Sequence, residues 1–388
     1  MQKTNLYTGN QPRICAMRLV IHLGPKKTGT TALQKYLYQN RKELSTQFKV
    51  CYPTPLSGNE AHHELFYGIN FQLNGTAPYA DAQGITKIRH PHEVLQEYLA
   101  QARELDCHTV IISSETLFEI NEKQSKLLQK CTEGFEEIEY VFGLRDRIGL
   151  IVSRWQEEVK HGYTKSLSEY IEPNSALGPN AADYYQKMLD LPARGETNNL
   201  KVKPFLYSGL DGKQNLFSEF LSCLRVPHSS MNLNSEKINE SVKLGPLIAL
   251  MTANNWIQGH NSLVTINHQK AWLQPISRAL DLRDYVFENT NLEEVNYPIL
   301  SLLVHGVDKL ASFRKLNELV NLSLRDFQLA FPDEDHGRYE KKLRNEIEEN
   351  LNRSFEINHH DFHSFLEEYR SIGVKLADEF LLSREVGN

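Results

Sequence analysis

Cysteine is scarce in this chain, with five residues in 388, and no two of them are spaced as a CxxC pair. An odd, scattered set of thiols excludes a disulfide-stapled scaffold and suits free, mostly buried cysteines in a reducing compartment. The sequence also lacks an apolar run near eighteen residues, so we expect no membrane span. Residues 1–16 have no apolar signal core, and we expect them to form a flexible tail on a cytoplasmic protein.

An excess of positive charge is missing as well. The formal net charge is −6, and charged residues make up 24% of the chain. A mildly acidic protein is a poor general binder of nucleic acid, which needs a basic face, so no nucleic-acid partner is expected. A hydrophobic content of 40% is ordinary for a globular protein. The length allows one large domain with an extension, or two domains.

The most informative feature present is a glycine- and lysine-rich loop, GPKKTGTT, at residues 24–31. It follows an apolar run at 19–23 and precedes a segment with helical spacing of Leu33, Leu37 and Leu44. A strand, a glycine loop and a helix in this order cradle phosphate, because loop N–H groups and the helix N-terminus converge on the anion. The pattern predicts an anion site.

The loop departs from an ATP-binding loop in the position of its lysines. Gly24 and Gly29 keep the glycine spacing of that loop, but Thr30 stands where the lysine is required, and the lysines are Lys26 and Lys27. No lysine is therefore placed to span the terminal phosphates of a nucleoside triphosphate. An ATP- or GTP-binding loop and a turn without a ligand remain the alternatives.

A second pattern is an arginine at the end of a buried strand, residues 139–144, with a serine eight positions later. Arg145 offers two parallel hydrogen bonds to a dianion, and Ser153 adds a hydroxyl from a predicted helix. Arg147 nearby would add positive field. The alternative is an Arg145 that is paired with a surface carboxylate such as Asp146.

A third pattern lies between these two. The β-branched run at 109–113 predicts a strand, and it ends in Ser114 and Glu115. In open α/β sheets, ligands bind at the carboxyl ends of the strands, so Glu115 is placed for chemistry. The alternative is a carboxylate that only orients Lys27 or Arg145.

Together these patterns resemble sulfotransferases that use 3′-phosphoadenosine 5′-phosphosulfate (PAPS). The string IHLGPKKTGTTALQKYL resembles the phosphosulfate-binding loop of bacterial and carbohydrate-type members, and the resemblance covers roughly residues 17–225. It implies an α/β fold with a P-loop and a doubly wound, mostly parallel sheet flanked by helices. The R-K-G-x-x-G segment of cytosolic members is missing, which leaves the rest of the 3′-phosphate and adenine site unassigned.

The resemblance also implies roles for individual residues. Lys27 would stabilise the leaving phosphate of the product, 3′-phosphoadenosine 5′-phosphate (PAP), and Arg145 with Ser153 would bind its 3′-phosphate. No metal would be required. The full set of implied donor-binding residues is Pro25, Lys26, Lys27, Thr28, Gly29, Thr30, Thr31, Arg145, Ser153 and Tyr207. Tyr207 is a candidate adenine contact and equally a packing residue.

The acceptor side has fewer signals. Glu115 would be the general base for a hydroxyl or amine acceptor, a small molecule or a glycan, with carbohydrate favoured by the resemblance. His62 and His63 compete for that role, since a histidine near neutral pKa is a natural base. A kinase or NTPase, and a degenerate binding or scaffold protein of the same fold, are the alternative functions.

The organisation along the chain follows from residue patterns. Strands are expected at 19–23, 48–52, 109–113, 138–144 and 202–207, and residues 53–93 are expected to form a long loop region. Residues 17–227 would form the sulfotransferase core. Residues 228–388 would form a mainly helical extension packed on the core, which either shapes the acceptor cleft or mediates self-association. Asp361 would cap the last helix, and the histidines at 359–363 are a weak metal signal.

Overall fold

The chain forms two compact units in the computed structural model. The structure describes residues 16–24, 27–58, 60–78, 80, 85–171, 200–206, 216–227, 231, 243–260, 273–290, 302 and 309–385. The first unit takes its described residues from Met1–Gly143, Met188–Tyr207 and Asn215–Ser235, and the second from Leu144–Lys187, Ser208–Gln214 and Glu236–Asn388. The domain division expected at residue 227 stays a prediction.

The described residues contain a five-stranded parallel sheet. Its strands are β1 (Arg18–His22), β2 (Val50–Cys51), β3 (Thr109–Ser113), β4 (Glu137–Leu144) and β5 (Leu200–Leu206). Their order across the sheet is β2-β3-β1-β4-β5. Every residue of β1 and β3 is buried, as the continuous apolar runs of a parallel sheet require. The predicted α/β class and parallel sheet are confirmed.

Helices flank the sheet in the first unit and dominate the second. In chain order they are α1 (Thr30–Gln39), α2 (Arg41–Phe48), α3 (His63–Asn74), α4 (Pro91–Glu104), α5 (Glu122–Lys130), α6 (Arg147–Lys160), α7 (Leu167–Ile171), α8 (Leu216–Cys223), α9 (Leu244–His260), α10 (Leu273–Asn289), α11 (Lys309–Ala330), α12 (His336–Phe355) and α13 (His359–Glu385). The core of the first unit joins strand residues to the apolar stripe of α8, through Val20, Ile111, Phe205, Phe217 and Phe220.

The edge strand β2 is short. It pairs with β3 through only two residues, Val50 with Thr109 and Cys51 with Val110. Lys49, just before it, has a left-handed backbone (φ 56°), and its ammonium group lies 2.9 Å from the carboxylate of Asp106. The regular part of this sheet edge is therefore only two residues long.

The long loop region expected at 53–93 is partly wrong, because α3 occupies its centre and α4 begins at Pro91. The buried face of α3 includes His63 and Glu64 together with Leu65 and Ile69. Polar side chains on a buried face break the apolar period that sequence reading relies on. The sequence pattern therefore did not indicate this helix.

In the second unit, α9 and α13 approach to backbone contact. A Cβ atom added to Gly373 would lie 2.3 Å from the carbonyl oxygen of Ala249, so only glycine allows this approach. The helix α13 begins at His359, and the Asn358 side chain accepts a hydrogen bond from the N–H of His360 at 2.8 Å. The predicted cap at Asp361 is therefore wrong, since that residue lies inside the first turn.

A buried ion pair joins α6 to α11 in the second unit. The Nε of Arg147 lies 2.5 Å from the Oδ2 of Asp326, and the two side chains are 2% and 3% exposed. The N–H of Arg147 also donates to the hydroxyl of Ser323 at 2.8 Å. Burial raises the pKa of the Asp326 carboxyl although Arg147 opposes that shift. The positive field expected from Arg147 is offset by this partner.

Candidate functional site

The described part of the loop between β1 and α1 has two residues with left-handed backbone. Lys27 and Gly29 both adopt left-handed conformations, with φ of 72° and 74°, and the buried Thr28 lies between them. Alternation of backbone handedness turns successive N–H groups toward one point. The N-cap of α1 is Gly29, and the first turn holds no acidic residue, so the positive end of this helix dipole has no carboxylate of its own.

Gly24 lets the loop fold back onto the start of α1. A Cβ atom at this position would lie 1.7 Å from the Cγ2 of Thr30, which no side chain permits. The Thr30 side chain is consequently fixed and 3% exposed. The glycine spacing of the sequence thus has a steric cause, and it orients the hydroxyl of Thr30.

Glu115 meets this loop directly. It opens a 3₁₀ turn, Glu115–Glu119, after β3, and its Oε2 accepts a hydrogen bond from the Oγ1 of Thr30 at 2.9 Å. The sequence alternative named Lys27 or Arg145 as the partner of Glu115, and the structure adds Thr30, which sequence reasoning did not connect to it. One hydrogen bond therefore brings together two candidates that are 85 residues apart in the chain.

The contact lies at the carboxyl ends of two neighbouring parallel strands. Strands β1 and β3 are neighbours with His22 opposite Ser113, yet the chain leaves β1 toward β2 and leaves β3 toward β4. Connections that depart in opposite directions from adjacent strands open a gap at their carboxyl ends, the usual ligand position in open α/β sheets. The loop follows the end of β1, and Glu115 follows the end of β3.

His63 belongs to the same group. Its Nδ1 lies 2.9 Å from the hydroxyl of Ser114, which in turn lies 2.7 Å from the hydroxyl of Thr116. Burial lowers the pKa of His63, while the carboxylates of Glu115 and Glu64 act to raise it. Ser114 and Thr116 were missed as site residues, and their place directly around Glu115 after a buried strand is the signal that could have found them.

His62 has a different place. It is fully buried, and the Ser113 N–H donates to its Nδ1 at 3.2 Å, so its Nε2 carries the proton and donates to the carbonyl of Pro53 at 3.1 Å. Its ring packs edge-on against Tyr52 and Tyr98. Burial lowers the pKa of His62 to about 4. Both ring nitrogens are used by the backbone, so this side chain ties the segment after β2 to the end of β3.

His22 is a second buried histidine, which the sequence did not single out. Its Nδ1 lies 2.8 Å from the hydroxyl of Ser113, and its ring contacts Phe220 at a centroid distance of 5.2 Å. Burial lowers its pKa to about 3. The contact between His22 and Ser113 joins the ends of β1 and β3. The loop and Glu115 follow directly after these two strand ends, so the contact helps to position both.

We expect the first unit to lose stability in mild acid because of these two histidines. In the folded protein the pKa of His62 is lowered to about 4 and that of His22 to about 3. In the unfolded chain, a histidine binds its proton near pH 6.5. Below pH 6.5 the unfolded chain takes up protons that the folded chain refuses. Each histidine then lowers the free energy of unfolding by about 1.4 kcal/mol per pH unit.

Urea unfolding at pH 7, 6 and 5 measures this slope. The variant His62→Gln has no titratable side chain at position 62. Its free energy of unfolding should therefore fall less steeply between pH 7 and pH 5 than that of the wild type, even if the variant is less stable at pH 7. A free energy of unfolding that stays constant between pH 6 and pH 5 would mean that both rings are charged in the folded protein.

Arg145 and Ser153 lie in the second unit. Arg145 directly follows β4 and is half-buried, as is Ser153 on α6. The carboxylate of Asp146 caps α6, with its Oδ1 accepting from the N–H of Gly149 at 2.6 Å. In the first unit, Thr31 is exposed on the first turn of α1. The predicted donor residues Pro25, Lys26 and Tyr207 lie outside the described residues.

Within the described residues, no group of three or more His, Cys, Asp or Glu side chains is arranged to hold a metal ion. None of the described helices is long and apolar enough to cross a membrane. No protein-family model, curated protein or solved structure matches the chain.

Proposed function

We propose that this protein transfers a sulfuryl group from PAPS to a hydroxyl or amine acceptor, with a carbohydrate as the first acceptor to test. The observation that carries the proposal is the hydrogen bond between Thr30 and Glu115. Through this hydrogen bond, the Glu115 carboxylate contacts a loop whose residues suit a phosphate. Sulfuryl transfer requires that neighbourhood, a cradle for the leaving phosphate beside a base for the acceptor.

On the donor side, the residues present fit a 5′-phosphate bound in a P-loop. Thr28, Gly29 and Thr30 supply N–H and hydroxyl groups at the positive end of α1, where the first turn adds no competing acid. Lys27 is the cation of this loop within the described residues. Arg145 and Ser153 are assigned to the 3′-phosphate by their sequence motif alone.

The transfer step follows from these positions. The acceptor oxygen attacks sulfur while its proton passes to the Glu115 carboxylate, and the bond from sulfur to the 5′-phosphate oxygen breaks. PAP leaves with that electron pair, and Lys27 with the loop stabilises the charge on its phosphate. A sulfuryl group carries less charge than a phosphoryl group, so we propose that the step runs without a metal ion.

His63 is the second proton-accepting group near the acceptor in this proposal, and His62 takes no part in proton transfer. We also place the protein in the cytoplasm, on the basis of its free, buried thiols at Cys51, Cys107 and Cys131. Self-association through the helices after residue 228 remains part of the proposal.

Calorimetry with PAP, AMP and ATP tests the donor. We expect PAP to bind more tightly than AMP, since only PAP has the 3′-phosphate, and more tightly than ATP. Arg145→Lys should reduce the preference for PAP over AMP, because lysine cannot make two parallel bonds to a phosphate. Arg338→Lys, an exposed position on α12, is the matched control.

Transfer of labelled sulfate from PAPS to a panel of glycans and small hydroxyl compounds tests the reaction. Tighter binding of ATP than of PAP would favour the kinase or NTPase instead. Binding of PAP without transfer to any acceptor would favour the binding or scaffold protein.

A further inference from the structure

The hydroxyl of Thr30 has a single proton to donate. In the structure it donates that proton to Glu115, at 2.9 Å. The same hydroxyl lies on the first residue of α1, where the proposed function requires a donor to the 5′-phosphate. A hydroxyl donates one hydrogen bond at a time, so it cannot serve the carboxylate and the phosphate together.

The negative charge of Glu115 also opposes the simultaneous presence of the carboxylate and a phosphate at this helix end. The first turn of α1 has no acid of its own, and Glu115 supplies a carboxylate to this helix end from β3. A carboxylate beside a helix N-terminus takes the place of a bound anion. A phosphate that enters the loop meets this negative charge at close range, and the repulsion favours movement of one of the two.

The two side chains differ in their freedom to move. Thr30 is buried and held by the backbone of Gly24, whose missing Cβ leaves room for its methyl group. Glu115 is half-exposed and has three side-chain torsions. The hydroxyl is therefore the fixed member of the pair, and the carboxylate is the member that can swing away.

We propose that donor binding releases the base: the Thr30 hydroxyl passes from the Glu115 carboxylate to the donor phosphate, and the freed carboxylate turns to the acceptor. Thr30 is then a positioning residue that couples the two halves of the site. The inference rests on the proposed function for the identity of the donor, but the exchange itself needs only an anion in the loop. Its kinetic consequence is ordered binding, with the donor before the acceptor.

The experiment is a double-substitution cycle of Thr30→Val and Glu115→Gln in the full-length chain, followed by thermal unfolding without ligand and with saturating inorganic pyrophosphate. Without ligand, the two substitutions should be non-additive in melting temperature, because Thr30→Val removes the hydrogen bond and Glu115→Gln weakens it by replacing the charged acceptor with a neutral amide oxygen. With pyrophosphate bound, this coupling should disappear. Thr30→Ser keeps the hydroxyl, so it should still couple to Glu115→Gln without ligand and lose that coupling when pyrophosphate is bound.

Affinity for pyrophosphate gives a second measurement. Glu115→Gln should bind it about tenfold more tightly than wild type, because a nearby negative charge is gone, although the same variant should transfer sulfate more slowly. Glu43→Gln and Thr46→Val on α2 are the controls for loss of an acid and of a hydroxyl, and they should change neither measurement.

The outcomes separate this inference from the proposed function. If the coupling persists with pyrophosphate bound, the hydroxyl stays on Glu115 and the exchange is refuted. Failure of pyrophosphate to bind any variant removes the anion site and overturns the exchange as well. If PAP fails to bind but the pyrophosphate pattern appears, the exchange is supported and only the assignment of the donor is wrong.

Discussion

Lys27→Ala should lower the rate of PAPS-dependent transfer by about 10²–10³-fold, because in the proposed mechanism it removes the charge that stabilises the leaving phosphate. The backbone of Lys27 is left-handed, with φ of 72°. Alanine has the same steric penalty there as lysine, so this substitution removes the ammonium group without changing the strain of the loop. Lys27→Gly would change both and is the less informative variant.

Single-turnover transfer of labelled sulfate to the best acceptor measures the effect. Lys42→Ala, at an exposed lysine of α2, is the matched control and should retain the wild-type rate. Undiminished transfer in Lys27→Ala would remove Lys27 from the mechanism. A loss that appears only in the affinity for PAP would make it a binding residue.

Asp326→Ala should lower the free energy of unfolding of the second unit by about 3–5 kcal/mol, because it leaves Arg147 charged and buried without this carboxylate. Burial raises the pKa of the Asp326 carboxyl although Arg147 opposes that shift, so removing this carboxylate from water has a cost that the pair must offset. Replacing both members with apolar residues, Arg147→Met with Asp326→Leu, should therefore be close to neutral or stabilising.

Urea denaturation of the single and double variants distinguishes these effects. Asp333→Ala, at an exposed aspartate just after α11, controls for loss of a carboxylate and should change the free energy of unfolding by less than about 0.5 kcal/mol. A double variant as unstable as Asp326→Ala would show that the pair contributes specific hydrogen bonds that packing cannot replace.

The strands β1, β3 and β4 could be predicted from the sequence because each is an almost continuous buried run. The prediction for residues 109–113 matches the observed bounds, β1 is shifted by one residue at both ends, and β4 begins one residue earlier than predicted. Apolar residues on both faces of a parallel strand leave a signal that needs no knowledge of the neighbours. The loop was likewise visible, since glycine spacing reports a steric need that is local to it.

The contacts of the site could not be predicted in the same way. The sequence places Thr30 in the loop after one strand and Glu115 at the end of another. Which of these side chains meet depends on the order of the strands in the sheet, and neither segment shows by itself that β1 and β3 are neighbours. His62 is a candidate base by residue type, and the sequence could not show that both of its ring nitrogens bond to backbone groups. The helix α3 was missed because it buries His63 and Glu64.

The two-residue strand β2 has a consequence for how the protein behaves at high concentration. An edge strand offers unpaired backbone groups on which another chain can assemble, and the hazard grows with the length of flat strand exposed. Here the regular edge is only Val50–Cys51, with a left-handed residue before it and the Lys49–Asp106 charges beside it. This side of the sheet is thereby a poor template for strand addition and guards against aggregation.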